Sequence, residues 1–196
     1  MREVETRRWT REEYYRMAER GVLAPDERVE LIDGEILKIV VQDSRHFVAI
    51  QRAQKALEAA FGPGCCVRAQ GPLTIDDCSE PEPDLAVVKG SVNDYRDAHP
   101  RSGLLVVEVS DTSVEFDRLT KGSLYARAGI PEYWIVNLPN QRLEAHRDPA
   151  PASAARFGWE YKSVHFYCTG QSVTPLHAPQ AHIAVDDLLP HTTNHL

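Results

Sequence analysis

A carboxylate inside an otherwise apolar strand needs a chemical reason, and Glu108 is such a group. It lies in the run Leu104 to Val109, LLVVEV, which reads as a central strand covered on both faces. An unpaired charge there costs many kcal/mol, so the group must be neutralised, paired or bound to a cation. Asp84, introduced by Glu80-Pro81-Glu82-Pro83, opens the preceding strand, Asp84 to Val88. If the two strands are antiparallel neighbours with Val88 facing Leu104, then Asp84 faces Glu108. Both side chains would share one surface, with Cβ atoms ~5 Å apart. Two like charges that close repel unless a divalent cation bridges them, and hard oxygen ligands suit magnesium or manganese. The helix that follows supplies a base. At about 100° per residue, Asp117, Lys121, Leu124, Tyr125 and Ala128 share one arc. Leu124 and Ala128 belong against the sheet, so Asp117 and Lys121 turn inward with them. Lys121 is then either in an ion pair or beside a metal-bound water. The plainer alternative is a rim glutamate and a lysine that reaches out to solvent.

The surrounding elements must hold these groups. Thr10 and Glu13 form a capping box for a short helix that Gly21 can end. Arg28 to Val40 reads as a hairpin turning at Asp33-Gly34. Ser44 can cap a helix running to Phe61, stopped by Gly62-Pro63-Gly64, with Phe47, Ile50, Leu57 and Phe61 near its apolar face. Strands are expected at Cys66 to Gln70, Leu73 to Ile75, Asp84 to Val88 and Leu104 to Val109. A helix from Glu115 to Ala128 ends at Gly129, and strands follow at Glu132 to Val136, Arg142 to His146 and within Trp159 to Thr174. Asp148 to Ala155 reads as a surface loop. The last helix separates two apolar strands, which predicts a right-handed crossover and a parallel pair. The fold class is α/β, a mixed sheet flanked by helices.

The chain has 196 residues, 42% of them hydrophobic, and a formal net charge of −7. That is one domain, residues 1–196, with termini expected to fray. The charge excludes a generic basic nucleic-acid binder but leaves room for a local basic strip. No apolar run approaches the ~20 residues of a membrane helix, and the N-terminal MREVETRRWTREE lacks the apolar core of a signal peptide, so a cytoplasmic protein is expected. The four cysteines make no CxxC pair, which argues against zinc and against a disulfide framework; reduced, packed thiols are expected. The apolar C-terminal strands suggest a homodimer.

The order helix, three strands, helix, strand, with Pro83-Asp84 and then Glu108 followed at the second position by Ser110, resembles the PD-(D/E)XK nuclease superfamily. The chain is most similar to the Uma-type restriction endonuclease family, formerly a domain of unknown function. The similarity rests on Val29-Glu30-Leu31-Ile32-Asp33-Gly34-Glu35, Glu82-Pro83-Asp84-Leu85 and Val107-Glu108-Val109-Ser110. It continues through the spaced Asp117, Lys121 and Tyr125 and through Ala128-Gly129-Ile130-Pro131-Glu132-Tyr133-Trp134. It covers about residues 10 to 190. The resemblance implies a restriction-endonuclease-like αβββαβ core with an extra N-terminal helix and hairpin and added C-terminal strands. It implies metal-dependent phosphodiester hydrolysis, usually of DNA, with Asp84 and Glu108 binding Mg2+ or Mn2+. The superfamily's lysine two residues after the glutamate is Ser110 here, and Lys121 is the residue placed to replace it in water activation. Asp111 stands where the family often has proline.

Other residues keep two readings each. Glu30 matches a glutamate of the family motif and is a further candidate for the catalytic site, or a solvated acid beside a turn. Asp33 is explained by the turn. Asp117 pairs with Lys121 or favours the helix N-terminus. Glu132, Tyr133 and Trp134 read as strand packing with one rim charge. His46 is a phosphate contact or a surface cap. Arg2, Arg7, Arg8, Arg11 and Arg16 form a phosphate-contacting arm or a solvated terminus. The functional expectation is a Mg2+-dependent endodeoxyribonuclease with DNA as partner. The alternative is a catalytically inactive interaction module of the same fold, which the negative charge favours. A weaker third is hydrolysis of a small phosphorylated substrate.

Overall fold

The computed structural model describes residues 5–24, 26–39 and 43–191; Arg2 and Val40 lie outside them. Six strands build the main sheet: β3 (Cys65–Ala69), β4 (Leu85–Lys89), β5 (Leu105–Ser110), β6 (Glu132–Asn137), β7 (Arg142–Pro151) and β8 (Trp159–Cys168). They lie side by side in chain order, and every pairing is antiparallel except β5 with β6. That parallel pair is joined by a helical crossover, as the apolar strands flanking a helix require. A hairpin, β1 (Val29–Ile32) and β2 (Glu35–Lys38), stands apart from the sheet, as does the small pair β9 (Ser172–Val173) and β10 (Ile183–Ala184). No helix among the described residues is long and apolar enough to cross a membrane.

The two sheet faces carry separate cores, and strand alternation assigns residues to them. Leu85, Val87, Leu105 and Val107 pack under α2 (Ser44–Phe61), while Ala86, Val88 and Val106 pack under α4 (Gly122–Arg127). Ala49 and Ala53 are fully buried in α2 and let its backbone approach the sheet. The stripe they define differs from the expected one: His46, Ile50 and Leu57 are buried with them, whereas Phe47 is 57% exposed. The cap also shifts by one residue, because Asp43 rather than Ser44 accepts from the His46 amide at 2.9 Å.

Three further expectations are corrected. Leu73 to Ile75 is not a strand; the Leu73 amide bonds the carbonyl of Pro81 and that of Thr74 bonds Pro100, both at 2.9 Å, so its backbone is satisfied by loops. The loop expected from Asp148 begins only after Pro151. Pro149 and Pro151 are tolerated inside β7 because β6 pairs it only as far as Arg147, leaving that side free of a ladder. Glu132 is no rim charge. It is fully buried and accepts from Arg147 Nε at 2.9 Å and Nη2 at 2.7 Å, from Trp134 Nε1 and from the Leu176 amide. The segment after β9 covers this start of β6, which the local sequence does not reveal. The cysteines are free, with Cys66 buried and Cys168 exposed at the end of an edge strand rather than packed.

The N-terminal helix α1 (Arg11–Glu19) carries the capping box of Thr10 and Glu13. The segment before it is anchored. The Trp9 amide bonds Gly34 O at 2.9 Å, Arg8 pairs with Asp33, and Arg11 pairs with Glu80 at 3.2 Å. Asp33 and Gly34 have φ of 49° and 80°, the paired left-handed values of a tight hairpin turn. At Gly34 a Cβ would lie 2.4 Å from that of Arg8, so only glycine fits under the crossing chain.

Removing one partner of a buried ion pair leaves the other uncompensated. Arg147→Ala is expected to cost about 3–5 kcal/mol, read as a lower midpoint of urea unfolding.

Candidate active site

The expected register is the one observed. Leu85 pairs with Val107, Ala86 with Val106 and Val87 with Leu105, which sets Asp84 opposite Glu108 one step beyond the last ladder pair. There the strands begin to part, and the two carboxylates take over the backbone groups that the ladder leaves. The Asp84 amide donates to Glu108 Oε2 at 3.3 Å, and the Val109 amide donates to Asp84 Oδ2 at 2.8 Å. Both side chains lie on the α4 face and are nearly inaccessible. Past this point β5 continues alone with β6 to Ser110, so the site sits at the carboxyl end of a central strand, where a sheet naturally opens a crevice.

Lys121 closes the cluster. Its Nζ donates to Glu108 Oε1 at 2.9 Å and lies 3.4 Å from Glu30 Oε2. Tyr125, four residues on, donates its hydroxyl to the same Glu108 oxygen at 2.9 Å. The crossover helix is not the uniform α-helix of the sequence reading. It runs as α3 (Val114–Phe116), a π-helical turn over Asp117–Lys121, and then α4. The Asp117 carbonyl takes the Gly122 amide and also the Tyr133 hydroxyl at 3.1 Å; a side chain inserted into the ladder is a known cause of such a turn. Lys121 and Tyr125 keep the inward face that the simple helical arc gives them, while Ala128 is only half-buried. Ser110, at the superfamily's lysine position, instead contacts Ser113 Oγ at 3.3 Å.

Glu30 belongs to this cluster and is not a solvated acid. It is buried on β1, faces Lys121 and accepts from the Glu82 amide at 3.2 Å. Asp117 does not reach ion-pair distance of Lys121; it accepts from Ser113 Oγ at 2.7 Å. Sequence reasoning gave His46 only a marginal role, yet its Nε2 lies 2.7 Å from the Val109 carbonyl and 3.3 Å from Asp84 Oδ2, and its Nδ1 is buried without a partner. The signal was present: His46, Ile50, Ala53 and Leu57 recur at helical spacing on the alanine stripe. Tyr125 stood on the predicted arc without an assigned task.

These groups line a cleft of about 620 Å³ between the hairpin, the start of α2 and the start of α3. Its wall carries Asp43, Glu82 and Asp111 as well as the buried acids, against Arg28, Lys38, Lys121 and His46. Burial pushes the Glu108 carboxyl up to about 8; Lys121 pulls it back, while Asp84, Asp117 and Glu30 push the same way as burial. Burial also raises Asp117 and Glu82. Lys121 holds its proton above the ordinary lysine value, since Glu108, Glu30 and Asp117 outweigh its desolvation. His46 is raised because Asp84 outweighs its burial. The donors facing the cleft are hard oxygens. Among the described residues no three His, Cys, Asp or Glu side chains converge as a ready metal cage, so Asp84 and Glu108 are the pair that could hold an ion together with waters.

A carboxyl raised in the folded chain stabilises it most at low pH, and that contribution is lost as pH climbs from the ordinary value of 4.5 through about 8. In metal-free buffer, stability is therefore expected to fall by up to a few kcal/mol across this range, and Glu108→Gln to flatten the decline in denaturation midpoint.

Comparison with known proteins identifies a family and a similar fold. A family model described as "Uma2: Putative restriction endonuclease" matches residues 11–181. A solved structure, "a putative nuclease belonging to DUF820 from Anabaena variabilis ATCC 29413", superposes with a TM-score of 0.68 at 12% identity, covering 92% of this chain and 97% of that one; at that identity the likeness is one of fold. None of the curated proteins matches the chain. A family match spanning most of the described residues, on a sheet that gathers the motif acids at one strand end, places the chain in the Uma2 family of putative restriction endonucleases.

Proposed function

We propose that the protein is a Mg2+- or Mn2+-dependent endodeoxyribonuclease that hydrolyses phosphodiester bonds of DNA in the cleft at the end of β5. The observation that carries this reading is the clasp of Asp84 and Glu108 with the Lys121 ammonium 2.9 Å from Glu108. Asp84 and Glu108 would hold the ion. Two carboxylates suit magnesium, which keeps several of its waters and takes further ligands from substrate phosphate. When bound, the ion would act as a Lewis acid and make its water more acidic.

The chain's own groups have distinct tasks in this reading. Lys121 orients the attacking water and offsets the charge that builds on the phosphate oxygens. Glu30, 3.4 Å from the same ammonium, fixes where that ammonium points. Tyr125 holds Glu108 Oε1 and prevents the carboxylate from rotating away. His46 bridges Asp84 to the Val109 carbonyl, so the acid and the end of β5 move as one unit. Being nearly sealed from solvent, these groups act on one another through a low dielectric.

The inactive-module reading is favoured by one contact: the Lys121 ammonium already neutralises Glu108 without an external ion. Nicking of supercoiled plasmid separates the two. Cleavage is expected with Mg2+ or Mn2+ and not with EDTA, falling about 10²-fold or more in Asp84→Asn and in Lys121→Ala. Equal cleavage by Asp84→Asn, or none by the unaltered protein, would remove the nuclease reading. Manganese at about 100 times its dissociation constant is expected to stabilise the fold by about 2.7 kcal/mol, measured as a raised thermal midpoint that Asp84→Asn abolishes.

A further inference from the structure

The cleft poses an electrostatic problem for any nucleic-acid enzyme. Its wall is predominantly acidic and the chain carries a net charge of −7, whereas affinity for a nucleic-acid strand comes mainly from cations set against its phosphates. Among the described residues, the N-terminal arginines are already engaged by acids: Arg7 pairs with Glu13, Arg8 with Asp33 and Arg16 with Glu12. Cations concentrate elsewhere. A pocket of about 420 Å³ is lined by Arg11, Arg96, His99 and Arg101 with Tyr15 and Tyr95, and Asp97 is its one acidic lining residue.

Two of these cations are already matched. Arg96 binds Asp97, and Arg11 binds Glu80 and Thr74 through Nη1 alone. The remainder is unbalanced. Arg101 is exposed and makes no ion pair among the described residues. Arg68 touches two of the lining residues, its guanidinium 5.6 Å over the Tyr95 ring and its Nη2 3.3 Å from His99 Nδ1. The Nε atoms of Arg11 and Arg68 are both shielded from water and have no acceptor. An unmet buried donor is destabilising, and an oxyanion seated beside the guanidinium groups would balance their charge. The planar donor fork of arginine matches phosphate oxygens.

The pocket also lies close to the cleft along the chain. Glu80, which holds Arg11, is two residues from Glu82, which lines the cleft, and the Glu80 amide bonds Leu31 O next to Glu30 at 2.7 Å. We propose that this pocket, with His99 and Arg101 in its wall and Arg68 against His99, binds a backbone phosphate of the nucleic-acid strand whose scissile bond occupies the cleft. The inference rests on the nuclease reading for its partner, and it supplies the attraction that the acidic cleft lacks.

The test is fluorescence anisotropy of a short labelled DNA duplex in EDTA, between about 50 and 200 mM salt, with the unaltered protein, Arg101→Gln and Arg68→Gln/Arg101→Gln. Arg101 is exposed, so its single variant keeps the fold and the thermal midpoint. The expected result is affinity about tenfold weaker in Arg101→Gln and weaker still in the double variant, with the slope of log affinity against log salt shallower by about one per arginine. Unchanged affinity and slope in Arg101→Gln would overturn the inference. So would inorganic phosphate raising the thermal midpoint in an Arg101-dependent way while duplex binding ignores the substitution, since the pocket would then take free phosphate. Plasmid nicking by the same proteins keeps the two claims apart. Arginine-dependent binding without nicking leaves the pocket standing and removes the nuclease reading, whereas nicking with unchanged binding in Arg101→Gln removes the pocket alone.

Discussion

Three buried acids around one ammonium form the constraint on which the rest of the structure depends. Glu108, Glu30 and Asp84 are each almost sealed from water; Lys121 is within ion-pair reach of the first two, and His46 lies 3.3 Å from Asp84. Such a cluster is stable only if every oxygen has a donor. Donors come from backbone amides at the point where β4 and β5 separate, from the Glu82 amide, from the Tyr125 hydroxyl and from His46. The hairpin brings Glu30, the crossover brings Lys121 and Tyr125, and α2 brings His46. α2 and the crossover are fixed to the sheet by their apolar faces, so the two cores act as the frame on which His46, Lys121 and Tyr125 are hung.

Much of this was legible along the chain. Glu108 stands out because its neighbours are apolar, and the register follows from matching two apolar strands end to end. Lys121 could be placed because Leu124 must be buried and the helical period carries the lysine with it. The illegible part depends on contacts remote in sequence. Glu30 looks like an ordinary acid beside a turn until a lysine ninety residues later faces it. Glu132 has the same ambiguity, resolved by Arg147 and by the Leu176 amide. His46 was obscured by Phe47, since the larger apolar side chain draws the helical stripe one residue off; the two buried alanines fix it correctly.

Charge is segregated over the surface more sharply than a net value suggests. The acids converge on the cleft, where burial and mutual repulsion raise several of them, while Arg11, Arg68, Arg96 and Arg101 gather around Tyr95 and its pocket. A single summed charge therefore says little about partners. What a polyanion meets depends on which side it approaches.

The widened turn at Asp117–Lys121 has a consequence for the family's sequence pattern. A lysine carried on a strand has one reach, fixed by the pleat; one carried on a helix is placed by the winding of that helix, without disturbing any strand. Loss of a single residue there would rewind the segment and swing everything N-terminal to it about the helix axis, so Asp117 and its seryl partner would leave the cleft while the ammonium stayed. The ammonium and Glu108, 13 residues apart in the chain, thus meet by way of the helix and not of the strand.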